Sequence, residues 1–178
     1  MQADINGDGL EDVFIGGAKD RSAVIFTQKS DGSFRKKSSN SFPQDKTYED
    51  VNAEFLDIEN DGDMDLIVVS GGNDYPNNIK KYPIRLYINS NGNFTKANSS
   101  TFPERYTSAK AIAIHDFNND GFKDVFIGGS IVPGHYGQKP SSYLFKNVNG
   151  KFEIDEFSKL NEKLAMINDA KWIDLDND

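Results

Sequence analysis

The chain has 178 residues, enough for one domain with a buried core, and a net charge of −8 that argues against a nucleic-acid backbone as partner. No apolar run is long enough to cross or insert into a membrane, and the absence of cysteine excludes disulfides and thiolate zinc sites. Gln2 and Ala3 lead from Met1 straight into a polar loop with no signal peptide between, an abrupt start expected of a piece of a longer chain.

That first loop, DINGDGLED from Asp4 to Asp12, sets a nine-residue pattern. It returns as DIENDGDMD (Asp57–Asp65) and DFNNDGFKD (Asp116–Asp124), and the chain ends inside a fourth copy, DLDND (Asp174–Asp178). A hard cation such as calcium takes roughly six to eight oxygens at roughly 2.3–2.6 Å, and alternate positions of a short loop can supply them. Positions one, three, five, seven (through its carbonyl) and nine of the first loop are Asp4, Asn6, Asp8, Leu10 and Asp12. Those of the second are Asp57, Glu59, Asp61, Asp63 and Asp65, and those of the third Asp116, Asn118, Asp120, Phe122 and Asp124. Glycine at position six (Gly9, Gly62, Gly121) suits a turn with positive φ. About three Ca2+ sites are expected, against the competing reading of metal-free polar turns. Glu59 is a methylene longer than Asp or Asn, so its site is distorted, weaker or served by water.

The residues after each loop select the architecture. An EF-hand needs a bidentate Glu at position twelve, where this chain has Ile15, Val68 and Ile127. A dockerin-like module would continue as an amphipathic helix, but DVFIGG, DLIVVSGG and DVFIGG are short apolar runs ended by paired glycines, which read as buried strands. The glycine pairs Gly16-Gly17, Gly71-Gly72 and Gly128-Gly129 are read as places of close backbone approach.

Loop starts lie 53, 59 and 58 residues apart, giving repeats of about 4–56, 57–115 and 116–173, with 174–178 starting a fourth. Strands are predicted before the loops (Ala53–Ile58, Ala111–Phe117, Ala170–Leu175), after them, and again at Ala23–Gln28, Ile84–Asn89 and Ser142–Asn147. Asp31-Gly32, Asn91-Gly92 and Asn149-Gly150 are hairpin dipeptides leading into fourth strands at Phe34, Phe94 and Phe152, aromatics expected to pack between blades. Four antiparallel strands per repeat describe an all-β fold of β-propeller blades, about three of them in a permuted frame within one domain, 1–178. SFPQD (Ser41–Asp45) and TFPER (Thr101–Arg105) connect blades, and FSKLNEKLAMI (Phe157–Ile167) is predicted as a short helix.

The second-to-third-strand links differ most. Blade two has NDYPNNIKKYP (Asn73–Pro83) and blade three SIVPGHYGQKP (Ser130–Pro140), which would emerge on one face and bring Tyr75, Lys80, Lys81, Tyr82, His135, Tyr136 and Lys139 together as a candidate ligand face.

Through its DxxxDGxxD loops, DVFIGG, DLIVVSGG, RLYINSNGNF and SYLFKNVNGKF, the chain resembles FG-GAP/VCBS repeat proteins, whose blades also form the head of integrin alpha chains. GGSIVPGHYGQKPSSYLF and AMINDAKWIDLDND resemble large bacterial proteins of the ASPIC/UnbV and cartilage-acidic-protein type. The resemblance implies a calcium-stabilised propeller acting in adhesion or recognition, with a protein or glycan as partner. It places the parent protein outside the cytoplasm: extracellular, periplasmic or at the cell surface. Two other readings are carried beside it: a polysaccharide-processing enzyme using His115, His135, Tyr136 or Lys139 as acid or base, and a self-assembling structural unit. In the last, the first blade lacks its leading strand and two copies close a ring of about six blades, each lending Ala170–Leu175 to the other.

Overall fold

The computed structural model describes residues 1–39, 41–155 and 164–175. Three antiparallel sheets of four strands follow one another along the chain, each a simple meander. Blade one comprises β1 (Gln2–Ala3), β2 (Asp12–Ile15), β3 (Val24–Gln28) and β4 (Phe34–Lys37). Blade two comprises β5 (Asp50–Leu56), β6 (Asp65–Ser70), β7 (Ile84–Ser90) and β8 (Asn93–Lys96). Blade three comprises β9 (Ser108–His115), β10 (Asp124–Ile131), β11 (Tyr143–Val148) and β12 (Lys151–Ile154). Among the described residues no helix is long and apolar enough to cross a membrane.

Side-chain alternation along the strands makes the blade contacts. In β6, Leu66 and Val68 turn to a cluster with Phe14 and Ile25 of blade one, whereas Ile67 and Val69 turn to a cluster with Val125, Ile127 and Phe145 of blade three. Every residue of β6 is therefore buried, which explains why its sequence is an uninterrupted apolar run rather than an alternation. Each connector adds an aromatic wedge. Phe42 lies edge-on to Phe14 at 5.7 Å and to Tyr87 at 5.0 Å, and Phe102 stacks on Phe145 at 4.6 Å. A buried polar group lies at the first of these junctions: Arg85 pairs with Asp50, and Tyr87 Oη donates to Asp45 at 2.7 Å.

Several sequence expectations need correction. Asn91-Gly92 and Asn149-Gly150 take positive φ at both residues, but in blade one Gly32 does and Asp31 does not. There Lys29 N donates to Ser33 O and Gly32 N to Lys29 O, so the loop is longer and ends in a left-handed glycine. Phe94 and Phe152 pack between blades, but Phe34 is 48 % exposed, because no sheet among the described residues stands against that face of blade one. Blade one has a leading strand of its own, the two-residue β1, with Gln2 opposite Val13 and Ala3 opposite Asp12. Residues 170–175 form no strand, and Trp172 docks on blade three instead. Most of the helix expected at Phe157–Ile167 falls outside the described residues, and 164–167 are irregular.

The placement of that tail follows the blade register. Ile167 N donates to Gly129 O at 2.8 Å, just as Asp50 N of blade two donates to Gly17 O of blade one at 2.9 Å. A Cβ at Gly128 would stand 2.6 Å from Ile167 Cγ2, and one at Gly16 would stand 2.8 Å from Asp50 Cβ, so both first glycines admit the neighbouring segment by having no side chain. Trp172 then stacks on Phe117, with ring centroids 6.0 Å apart.

Phe42→Ala and Phe102→Ala should each lower unfolding free energy by about 3–5 kcal/mol, because each empties a wedge between sheets. Phe34→Ala should cost less than about 1 kcal/mol. Urea denaturation of the three variants measures the difference, and equal losses would refute the assignment of the wedges.

Candidate calcium loops

Each nine-residue loop joins the first and second strands of its blade, so all three sit at the same end of their sheets. Two left-handed residues shape each one. Position six is Gly9 (φ 80°), Gly62 (φ 93°) or Gly121 (φ 91°), as the sequence indicated. Position four is also left-handed, at Gly7 (φ 74°), Asn60 (φ 58°) and Asn119 (φ 57°), which explains why only Gly and Asn occur there.

This backbone gathers N–H groups around the first carboxylate. Asp4 Oδ1 accepts Gly7 N at 2.8 Å and Asp8 N at 3.2 Å, and Oδ2 accepts Gly9 N at 2.7 Å. Burial pushes the Asp4 carboxyl up, but these donors and Asn6 N outweigh it and hold the group below its ordinary value. Asp57 and Asp116 accept Gly62 N and Gly121 N in the same way, both at 2.8 Å. Position five braces position seven: Leu10 N, Asp63 N and Phe122 N donate to Asp8, Asp61 and Asp120 at 2.9, 2.9 and 3.0 Å. At position three, Asn6 and Asn118 each accept the N–H of position five, both at 3.0 Å. Glu59 breaks the pattern at this position: burial, with the Asp61 and Asp57 charges, pushes its carboxyl up against the opposing effect of its neighbour Asp65.

The closing residues differ from the rest in being buried. Asp12, Asp65 and Asp124 are at most 1 % exposed. One oxygen of each accepts the N–H of loop position two: Ile5 at 3.4 Å, Ile58 at 3.1 Å and Phe117 at 3.1 Å. The other accepts an N–H from the third strand: Gln28 at 2.8 Å, Asn89 at 2.7 Å and Asn147 at 2.7 Å. Each carboxylate thus ties a loop into its sheet. Desolvation raises all three, Asp65 to about 7, where the Glu59 and Asp61 charges add to it and the Asn89 and Ile58 N–H groups oppose it.

Sequence reasoning missed Asn89 and Asn147. Besides their backbone bonds, Asn89 Nδ2 donates to Ile5 O in the loop of blade one, and Asn147 Nδ2 donates to Ile58 O in the loop of blade two, both at 2.8 Å. The signal was available, since Asn89 and Asn147 each stand two residues before the Asn of an Asn-Gly turn. Asn147 Oδ1 accepts Gly150 N at 2.9 Å, whereas Asn89 Oδ1 is buried without a partner among the described residues.

Among the described residues no three Asp, Glu or His side chains converge on one point, because the loop carboxylates are turned to N–H groups of their own loop and blade. The donor chemistry nevertheless fits a hard cation. The donor sets are all oxygen, carboxylate and carbonyl in every loop with an amide added by Asn6 and Asn118, and each carries a buried acid whose ionisation a divalent ion would favour. The begun fourth loop lies mostly outside the described residues.

At the opposite end of the sheets, the long links of blades two and three meet. Gly134 N donates to Asn73 Oδ1 at 2.7 Å, and His135 Nε2 lies 2.6 Å from Asn77 Oδ1. Between them is a cleft of about 330 Å3, lined in part by Asn77, Ile79, His135 and Lys139. The Tyr75 ring has the ammonium groups of Lys81 and of Lys19 within 5.2 and 4.9 Å, and Lys19 comes from the short link of blade one that the sequence gave no reason to include. Tyr82 is buried beneath, its hydroxyl accepting Tyr75 N at 2.9 Å, whereas Lys80 and Tyr136 are exposed.

The two kinds of loop aspartate should separate in mutagenesis. In chelator, Asp65→Asn should destabilise by about 2–4 kcal/mol, because its amide presents a donor to Ile58 N or Asn89 N, whereas Asp61→Asn should change stability by less than about 1 kcal/mol. Denaturant titration of both variants without metal checks this, and equal costs would refute the division.

A family model for the FG-GAP-like repeat matches the chain twice, over residues 4–68 and 57–127. No curated protein matches it. The matches overlap across the second loop, and each takes in two of the three loops with the strands that follow them. With more than half of its length matched by that model, and with three four-stranded blades each carrying the loop, the chain belongs to the FG-GAP-like repeat family.

Proposed function

We propose that the chain is a calcium-binding, non-catalytic β-propeller module for recognition or adhesion outside the cytoplasm, with calcium holding the loops and a protein or glycan as partner. The observation that carries this reading is the repeated closing carboxylate: three buried acids, each bonded both to its own loop and to its own third strand. A cation bound beside such a group would brace the blade and leave the opposite end free to meet a partner. Lys19 and Lys81 meet over Tyr75, with the exposed Lys80 next to Lys81 in the chain, in a protein of net charge −8, and a partner bearing carboxylates or sulfates suits that patch. A second copy meeting the open faces of blades one and three is the homo-oligomer that goes with this reading.

An enzymatic role would fall to His135 at the cleft. Its ring nitrogen is engaged by Asn77, an arrangement that favours holding the two links together over proton transfer. His115 lies beside Trp172, with ring centroids 5.7 Å apart.

Calcium in excess over chelator should raise the melting temperature by at least about 10 °C, since binding at each filled site at a hundredfold excess over Kd adds about 2.7 kcal/mol. No rise would remove the calcium reading. On an array containing acidic glycans, binding should fall at least about tenfold in Lys80→Glu/Lys81→Glu. Unchanged binding would remove this face as the recognition surface.

A further inference from the structure

The closing carboxylates and the two asparagines form one hydrogen-bonded line through all three blades. It begins at Asp12, which accepts Ile5 N, and passes from Ile5 O to Asn89 Nδ2. Asn89 N leads to Asp65, Asp65 to Ile58 N, and Ile58 O to Asn147 Nδ2. Asn147 N then leads to Asp124, and Asp124 to Phe117 N. Ile5, Ile58, Asn89 and Asn147 are at most 2 % exposed, so water does not compete for these bonds. The line crosses both blade junctions, and at each the donor is the amide of an asparagine whose own N–H serves the next loop.

We infer that Asn89 and Asn147 are positioning residues that couple neighbouring calcium loops, so that the loops fill with positive cooperativity. The inference rests on the calcium reading above and adds to it a dependence of one site on the next. Fixing a loop fixes the peptide of its second residue, and with it the carbonyl that the next blade's asparagine grips. A gripped asparagine presents its N–H to the closing carboxylate of its own blade, so part of the ordering cost of the second loop has been met by the first. By linkage the effect runs equally in both directions.

Trp172, the only tryptophan, reports on one site. It stacks on Phe117, position two of the third loop, so its fluorescence follows filling of that loop when calcium is titrated. Disabling the second loop with Asp57→Asn/Asp61→Asn should weaken the third loop's calcium affinity by about threefold to tenfold. In an Asn147→Ala background the same pair of substitutions should shift it less than about 1.5-fold.

A missing shift, or one of full size in the Asn147→Ala background, would overturn the coupling. So would its abolition by Asn60→Gly alone, because Asn60 Nδ2 also reaches Gly121 O across the surface at 3.0 Å. Should Asn147→Ala fail to fold, Asn147→Gln, which displaces the amide by a methylene, takes its place. Calorimetric calcium titration of the unaltered chain gives an independent arm, where a curve fitted by independent sites overturns the coupling. Absence of any calcium binding there would instead overturn the calcium reading itself.

Discussion

A carboxylate buried at the end of an inner strand has to find donors, and the way Asp12, Asp65 and Asp124 find theirs shapes the rest of this molecule. Each takes one N–H from its own loop and one from the third strand of its blade. A loop held in this way cannot slide along the sheet without stranding a charge, and an unpaired buried charge is among the costliest defects a fold can carry. The register of three sheets is thereby pinned at one end by chemistry, and packing completes it at the other.

Because the pinned end is the same in every blade, the faces between blades are the same as well. Alternation in β6 sends Leu66 and Val68 one way and Ile67 and Val69 the other, and a connector phenylalanine closes each seam. The glycines that end the second strands serve the same seams. Only a residue without a side chain lets the next segment lie 2.6–2.8 Å from where a Cβ would be. The Trp172 tail obeys this rule on blade three, following the approach that β5 makes to blade one.

Much of this was legible in the sequence because it repeats. The loop spacing, the apolar run after each loop and the Asn-Gly turns are local signals that tertiary structure had little reason to override. What escaped was set by neighbours rather than by local pattern. Phe34 has the same sequence context as Phe94 and Phe152 but no blade on its outer side. Residues 170–175 read as a strand, yet they form none, and Trp172 docks on blade three while Ile173 and Leu175 face solvent. In the long links, Tyr82 was expected on the candidate ligand face and proved to be a buried prop for Tyr75, while Lys19 arrived from a link too short to attract notice. Asn89 and Asn147 were hidden by their position at the end of a strand, where an asparagine ordinarily signals only a turn.

Identical seams also determine how such a structure comes apart. Where each unit touches only its neighbours, stability is close to a sum over seams, and the unit with two seams outlasts the units with one. Blade two is flanked on both sides, and its strand β6 has no exposed residue, whereas blade one turns Ile15 and Phe34 to solvent on its outer side. Opening therefore proceeds as fraying from the ends towards the middle, with the amides of β6 the last to exchange with solvent. The same property lets such a chain lengthen by duplication, because a newly copied blade arrives already carrying both halves of the contact it needs.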